Sequence, residues 1–161
     1  MKINMTTKTA DLVAPDAPVL RQVAKPVRLL SKLVLDRAST LIETMVREGG
    51  IGIAAPQIGW SARVLAIGVP GSEALLFNPV LVSKSDETIE TDEGCLSARP
   101  PFFPESWTIK KTRSQRVRIR ADVANGNKLS SFEADLAGLP AIVFQHELDH
   151  LDGIVIWDQG K

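Results

Sequence analysis

Val117-Arg118-Ile119-Arg120-Ala121-Asp122-Val123-Ala124-Asn125-Gly126-Asn127-Lys128 is the stretch that decides the architecture. Val117, Ile119 and Ala121 alternate with Arg118, Arg120 and Asp122, the two-residue period of a strand with one buried face. Asn125-Gly126, within 124–127, has the turn chemistry of a hairpin, since both residues tolerate positive φ. A second strand is therefore expected near 128–135, antiparallel to the first. Upstream, residues 63–69 and 75–82 read as further strands, with Asn78-Pro79 marking an edge or a bulge in the second. Helices flank this block. Ser31 is a suitable N-cap for a helix over about 32–48, with Val34, Ala38, Leu41, Ile42, Met45 and Val46 as its apolar face. Gly49 and Gly50 supply the left-handed geometry that ends it. Pro140 fits the first turn of a second helix running to about Leu151, with Gly153 just past its end. Prolines 15, 18 and 26 mark the first segment as an irregular arm. The order helix, antiparallel strands, helix indicates an α+β fold in one domain, residues 1–161, and not a doubly wound parallel sheet.

Totals exclude several function classes. Nineteen basic and nineteen acidic side chains cancel, so no overall field favours nucleic acid or an anionic membrane. A local basic run, Lys110, Lys111, Arg113, Arg116, Arg118 and Arg120, reads mostly as the outward face of a strand. No apolar run approaches the roughly 20 residues of a membrane helix, and Met1 to Ala10 lacks the apolar core of a signal peptide. Cys95 is the single cysteine. No intrachain disulfide can form, and a reducing, cytoplasmic setting is expected.

Three segments carry chemistry. His146-Glu147-Leu148-Asp149-His150 holds the only two histidines of the chain. Four residues apart on a helix, both imidazoles share one face and can reach one metal ion, with Glu147 placed to act on water beside it. A catalytic metal needs a third protein ligand and an open position. Glu93-Gly94-Cys95-Leu96-Ser97 supplies the thiol, and a Cys-His-His set accepts zinc, ferrous iron and other divalent ions. Gly50-Ile51-Gly52-Ile53-Ala54-Ala55-Pro56-Gln57 is small enough for another backbone to approach closely. It reads either as a tight strand packed on the second helix, or as that strand carrying Gln57 to the reaction centre as an amide donor.

Together these segments resemble the three signature motifs of the peptide deformylase family, in the family's order. Pro15-Asp16, Leu20-Arg21, Pro26-Val27, Asn78-Pro79, Arg113 and Gly138-Leu139 extend the likeness over nearly the whole chain. The resemblance implies antiparallel sheets around a central metal-binding helix, with metal ligands Cys95, His146 and His150. It implies Glu147 as general base and acid, and Gln57 with the Leu96 N–H as oxyanion donors. Ile51, Gly52, Gly94, Leu139, Ile142 and Val143 would form the substrate pocket. Hydroxide on the metal would attack the formyl carbon of an N-formylmethionyl nascent peptide and release formate. The implied cofactor is one divalent ion, Fe(II) in vivo, with Zn(II), Ni(II) or Co(II) as alternatives. Transient ribosome contact is implied, with no membrane and no specific nucleic acid as partner.

The chain departs from the family in two places. The loop after Ser97 is long and carries Pro100, Pro101, Phe102, Phe103 and Pro104. Phe102 stands where bacterial members carry an arginine on the substrate backbone, with Arg99 or Lys110 as substitutes. The chain also stops at Lys161, without the C-terminal helix of typical bacterial members. That shortness resembles the abbreviated members of bacteriophages and implies bacterial cytoplasm, or host cytoplasm if phage-encoded. Two rival readings stand beside this one: a zinc peptidase, which lacks a third histidine here, and a non-catalytic, deformylase-like metal-binding module. Asp149 is expected to pair with Arg113 or Arg120, and Glu93 to hold the cysteine loop through backbone amides. Trp60, Trp107 and Trp157 are expected in cores or at pocket edges.

Overall fold

The computed structural model describes residues 8–105 and 107–158. The polar start of the chain through Thr7, and its end from Gln159, lie outside the described residues. The arm is extended, with a 3-10 turn over Pro18–Arg21. Helix α1 spans Lys32–Arg47. Strands β1 (Gly52–Ala54), β2 (Val64–Ile67), β3 (Ala74–Lys84), β4 (Thr88–Gly94), β5 (Thr108–Ser114), β6 (Arg116–Asn125) and β7 (Lys128–Ala137) follow. Helix α2, Leu139–Leu151, ends the series. Five strands form an antiparallel sheet in the order β1-β2-β3-β6-β7, and β4-β5 make a separate two-stranded ribbon.

The quoted stretch pairs as its alternation requires, with Ile119 opposite Ala134 and Asn125 opposite Lys128 across the turn. Alternation also distributes the core. Ala54, Leu65, Leu76, Val117 and Ile119 pack on one face against Ala141, Phe144, Leu148 and Leu151 of α2. Ile53, Val64, Ala66 and Phe77 pack on the other face against Ala38, Leu41 and Met45 of α1. The sheet thus holds α2 on one side and α1 on the other, an α+β arrangement.

Local expectations hold with some corrections. The Ser31 hydroxyl caps α1 by accepting from the Val34 N–H at 3.2 Å. Val46 is exposed, and Thr44 takes its place inside, where its hydroxyl donates to the Thr40 carbonyl. Only Gly49 has the left-handed backbone (φ 68°). Gly50 is small for a different reason, because a Cβ there would lie 2.8 Å from Leu96 Cδ1. Asn78-Pro79 is a bulge inside a central strand, not an edge. Asn78 has φ 49°, and its side chain bonds both the N–H and the carbonyl of Val27, tying the arm to the sheet. The basic run is not one outward face: it is divided between β5 and β6, and Arg113 is buried.

Candidate active site

Helix α2 presents His146, Glu147 and His150 toward the turn that follows β4, which carries Cys95. Gln145 pins the helix to β5: its amide donates to the Ser114 carbonyl at 2.9 Å and accepts from the Ser114 N–H at 3.1 Å. Sulfur and imidazole then meet, with Cys95 Sγ 3.3 Å from His150 Nε2. One donor atom from each of Cys95, His146 and His150 lies within 4.8 Å of the others. Bonds of about 2.3 Å to sulfur and 2.0–2.1 Å to nitrogen at a tetrahedral angle would separate S and N by about 3.6 Å. The donor set therefore fits one divalent ion.

The electrostatics agree. Burial alone pushes the His146 pKa down, but hydrogen bonds from Cys95 and Glu93, and the charge of Glu147, hold it well above the ordinary value. A site that stabilises positive charge at that ring is one where a cation can replace the proton. His150 is held well below its ordinary value by burial, then by the charges of His146 and Arg113. It stays neutral, as a ligand must.

Glu93 does not hold the cysteine loop through backbone amides. Its Oε1 accepts from Arg113 Nε at 2.7 Å, and its Oε2 from Arg113 Nη2 at 2.8 Å and His146 Nδ1 at 3.0 Å. This contact orients the His146 ring with Nε2 turned to the sulfur side. Burial works against the Glu93 carboxylate, but Arg113 and His146 more than reverse this and hold its pKa far below the usual range. Arg113 also bonds Asp149 at 2.6 Å, so of the two expected partners Arg113 is the one used.

Gln57 is buried behind the sulfur. Its oxygen accepts from the Ala54 N–H at 2.9 Å, which fixes the amide so that Nε2 donates to Ser97 Oγ at 3.1 Å and faces Cys95 Sγ at 3.5 Å. The Leu96 N–H makes no backbone hydrogen bond among the described residues. Gly52 explains its own size: a Cβ there would lie 2.5 Å from Glu147 Oε1 and 2.6 Å from Val143 Cγ1. The small-residue segment is thus a strand pressed against α2, and the 3-10 turn Ala55–Ile58 that follows it sets the Gln57 amide beside Cys95.

A cavity of about 700 Å³ opens over this cluster. Ile51, Gly52, Gly94, Leu96, Leu139, Ile142 and Val143 line it with Cys95, His146 and Glu147. Glu147 is buried, and its Oε2 has no hydrogen-bond partner among the described residues. Burial, partly offset by the His146 charge, raises its pKa to about 7.

Comparison with known proteins decides the family. The family model described as polypeptide deformylase matches residues 9–161. The chain belongs to that family. A peptide deformylase of Thermotoga neapolitana is 40% identical over 144 residues, spanning 89% of this chain and 82% of the relative. One from Brucella suis is 39% identical, over 91% of this chain and 81% of the relative. The crystal structure of peptide deformylase from Thermotoga maritima superposes with a TM-score of 0.82 at 35% identity, covering 92% of this chain and 95% of that one. Deformylases are metal-dependent hydrolases that remove the N-formyl group from nascent peptides, which is the chemistry the donor cluster fits.

Within this deformylase-family site, some participants were not found from sequence. Arg99, offered as a grip on substrate, is committed to helix α1: it bonds the Glu48 carbonyl at 3.0 Å and pairs with the Glu48 carboxylate. Lys110 is exposed and paired with Glu90 and Asp92. Neither stands free as a substitute for the missing arginine. The anchoring parts played by Gln145 and Ser97 carried no periodic signal, because Gln145 acts through a pair of hydrogen bonds to Ser114 and Ser97 through one to Gln57, all set by tertiary contact.

Proposed function

We propose that the chain hydrolyses the formyl amide of N-formylmethionyl peptides through Cys95, His146, His150, Glu147, Gln57 and Leu96. The observation that carries this reading is Glu147 Oε2, a buried carboxylate oxygen without a partner among the described residues, on the residue that follows the donor His146. Cys95, His146 and His150 would hold the ion. When bound, it supplies Lewis acidity, polarising the carbonyl and bringing water's pKa toward about 7. The same ligand set accepts Zn(II), Ni(II) and Co(II), and Fe(II) is the ion we assign in vivo on the family resemblance.

The chain's own groups do the rest. Glu147 Oε2 takes a proton from water and returns it to the departing amine nitrogen. Gln57 Nε2 and the Leu96 N–H donate to the formyl oxygen as charge develops there, each such donor contributing roughly 3 kcal/mol. The methionine side chain packs on Ile51, Leu139, Ile142 and Val143, with Gly52 and Gly94 leaving space for the peptide backbone. Contact with the ribosome is transient in this reading. Lys110, Arg116 and Arg118 are matched by neighbouring carboxylates, which limits fixed positive surface for RNA. No helix among the described residues is long and apolar enough to cross a membrane.

Formate release from formyl-Met-Ala-Ser by metal-loaded protein tests the reading, with acetyl-Met-Ala-Ser as control. Release from the formyl peptide alone is the expected result. Full metal loading without turnover would turn the reading toward a metal-binding module.

A further inference from the structure

The cavity has two walls, and the chemistry above uses only one. Its volume of about 700 Å³ falls within the roughly 300–1,000 Å³ of ligand clefts and exceeds what one methionine side chain fills. Beyond the apolar wall from α2, the β4–β5 ribbon contributes Thr91, Gly94 and Thr108, and the loop that leads into β5 contributes Trp107. Trp107 supplies the only Trp or Phe ring among the lining residues. No step assigned to the site employs it.

Its position is held from several sides. The Trp107 N–H donates to the Ala98 carbonyl at 3.1 Å, fixing it beside the cysteine turn. Gly94 pairs opposite the adjacent Thr108, and a Cβ on Gly94 would sit 3.5 Å from the Trp107 carbonyl oxygen. The Trp107 ring lies 6.1 Å from Phe103, and Phe103 lies 6.0 Å from Trp157 in an edge arrangement. Val155 and Ile156, just before Trp157, are buried. The three rings therefore form a chain of contacts from the segment after α2 to the cavity. Ring pairs at these separations are held in orientation by their quadrupoles as well as by burial. Phe103 and Trp107 both belong to the loop in which this chain departs from the family pattern. Phe102, at the position of the absent arginine, is exposed and is not among the described lining residues, which leaves Trp107 as the loop's aromatic contact with the cavity.

We propose that Trp107 is a specificity-determining residue, favouring an aromatic or large apolar side chain at the second or third residue of the formylated peptide. An extended peptide advances about 3.3 Å per residue. With methionine on the α2 wall, an advance of one or two residues would carry the peptide toward the opposite wall formed by the ribbon and Trp107. The proposal rests on the deformylase reading.

The test is kcat/KM for formate release from formyl-Met-Ala-Ser, formyl-Met-Phe-Ser and formyl-Met-Ala-Phe. It uses metal-loaded wild type, W107A, W107F and F103A, each with its melting temperature. One phenylalanine peptide is expected to exceed formyl-Met-Ala-Ser by several-fold to about tenfold. W107A should bring that ratio close to one, W107F should keep most of it, and F103A should reduce it in part. A ratio taken within one protein is unaffected by loss of active fraction, so a variant that folds poorly still reports. Equal rates for all three peptides in wild type, or a ratio that survives W107A, overturns the inference alone. Absence of formate from every peptide overturns the deformylase reading and this inference with it.

Discussion

Glu147 shows how one residue's environment becomes its chemistry. Its carboxyl is buried, one oxygen has no partner among the described residues, and burial raises its pKa from 4.5 to about 7. A base must be unprotonated, so kcat/KM should fall as pH drops through the acid limb. A bound dication favours the carboxylate, as the His146 charge does, so that limb should be centred at or below about pH 7. A limb centred clearly above 7 would contradict this. The linkage sign follows from the raised folded value: the contribution to stability is present below pH 4.5 and is lost as pH rises through about 7. Glu147→Gln should therefore make the metal-free protein more stable at pH 8, by about 1–3 kcal/mol, while removing activity. Denaturant titration of the two proteins at pH 8 checks it, and an unchanged or lower midpoint would count against it. Gly52 makes the converse point. Gly52→Ala places a Cβ against Glu147 and Val143, so kcat/KM should drop by at least tenfold even where the variant retains its metal.

Among elements, α1, α2 and the β6–β7 hairpin were legible because each buries one face and so imposes a period on its side chains. The β4–β5 ribbon was not. One face of Thr88–Gly94 and Thr108–Ser114 is exposed, and the other is built largely from polar residues such as Thr91, Glu93, Lys111 and Arg113, so no apolar alternation marks it, and β1 has only three residues. Likewise Cys95, His146, His150, Glu147 and Gln57 announced themselves by residue type and spacing. The Arg113–Glu93–His146 chain did not, because it joins strands and helix across the fold. Together with the Gln145–Ser114 pair, that chain fastens the ribbon to α2. Arg113→Ala would leave a buried carboxylate uncompensated and should cost about 3–5 kcal/mol, read by denaturant unfolding. Since the folded pKa of Glu93 is depressed, its contribution is present above pH 4.5 and is lost as pH falls through the folded value. Melting temperature of the metal-free protein should therefore decline in acid, and Glu93→Gln should flatten that decline. An identical acid profile in the variant would remove Glu93 from the account.

For the whole molecule, the sheet serves as a platform that brings three distant segments to one point: Gly50–Gln57, the turn carrying Cys95, and α2. An ion held by Cys95, His146 and His150 cross-links two of them. Chelation should lower the melting temperature, and restoring metal at about a thousand times its Kd should return roughly 4 kcal/mol. A melting temperature indifferent to metal would mean that the donors do not bind it in the folded state. The most direct test of the account is single-turnover formate release from formyl-Met-Ala-Ser by wild type and Glu147→Gln, purified anaerobically with metal counted in each. Both proteins should hold about one ion per chain, and the variant's rate should be lower by about 10²–10⁴. Equal metal content with release within tenfold of wild type would contradict it, and the proton-transfer role would then belong to another group.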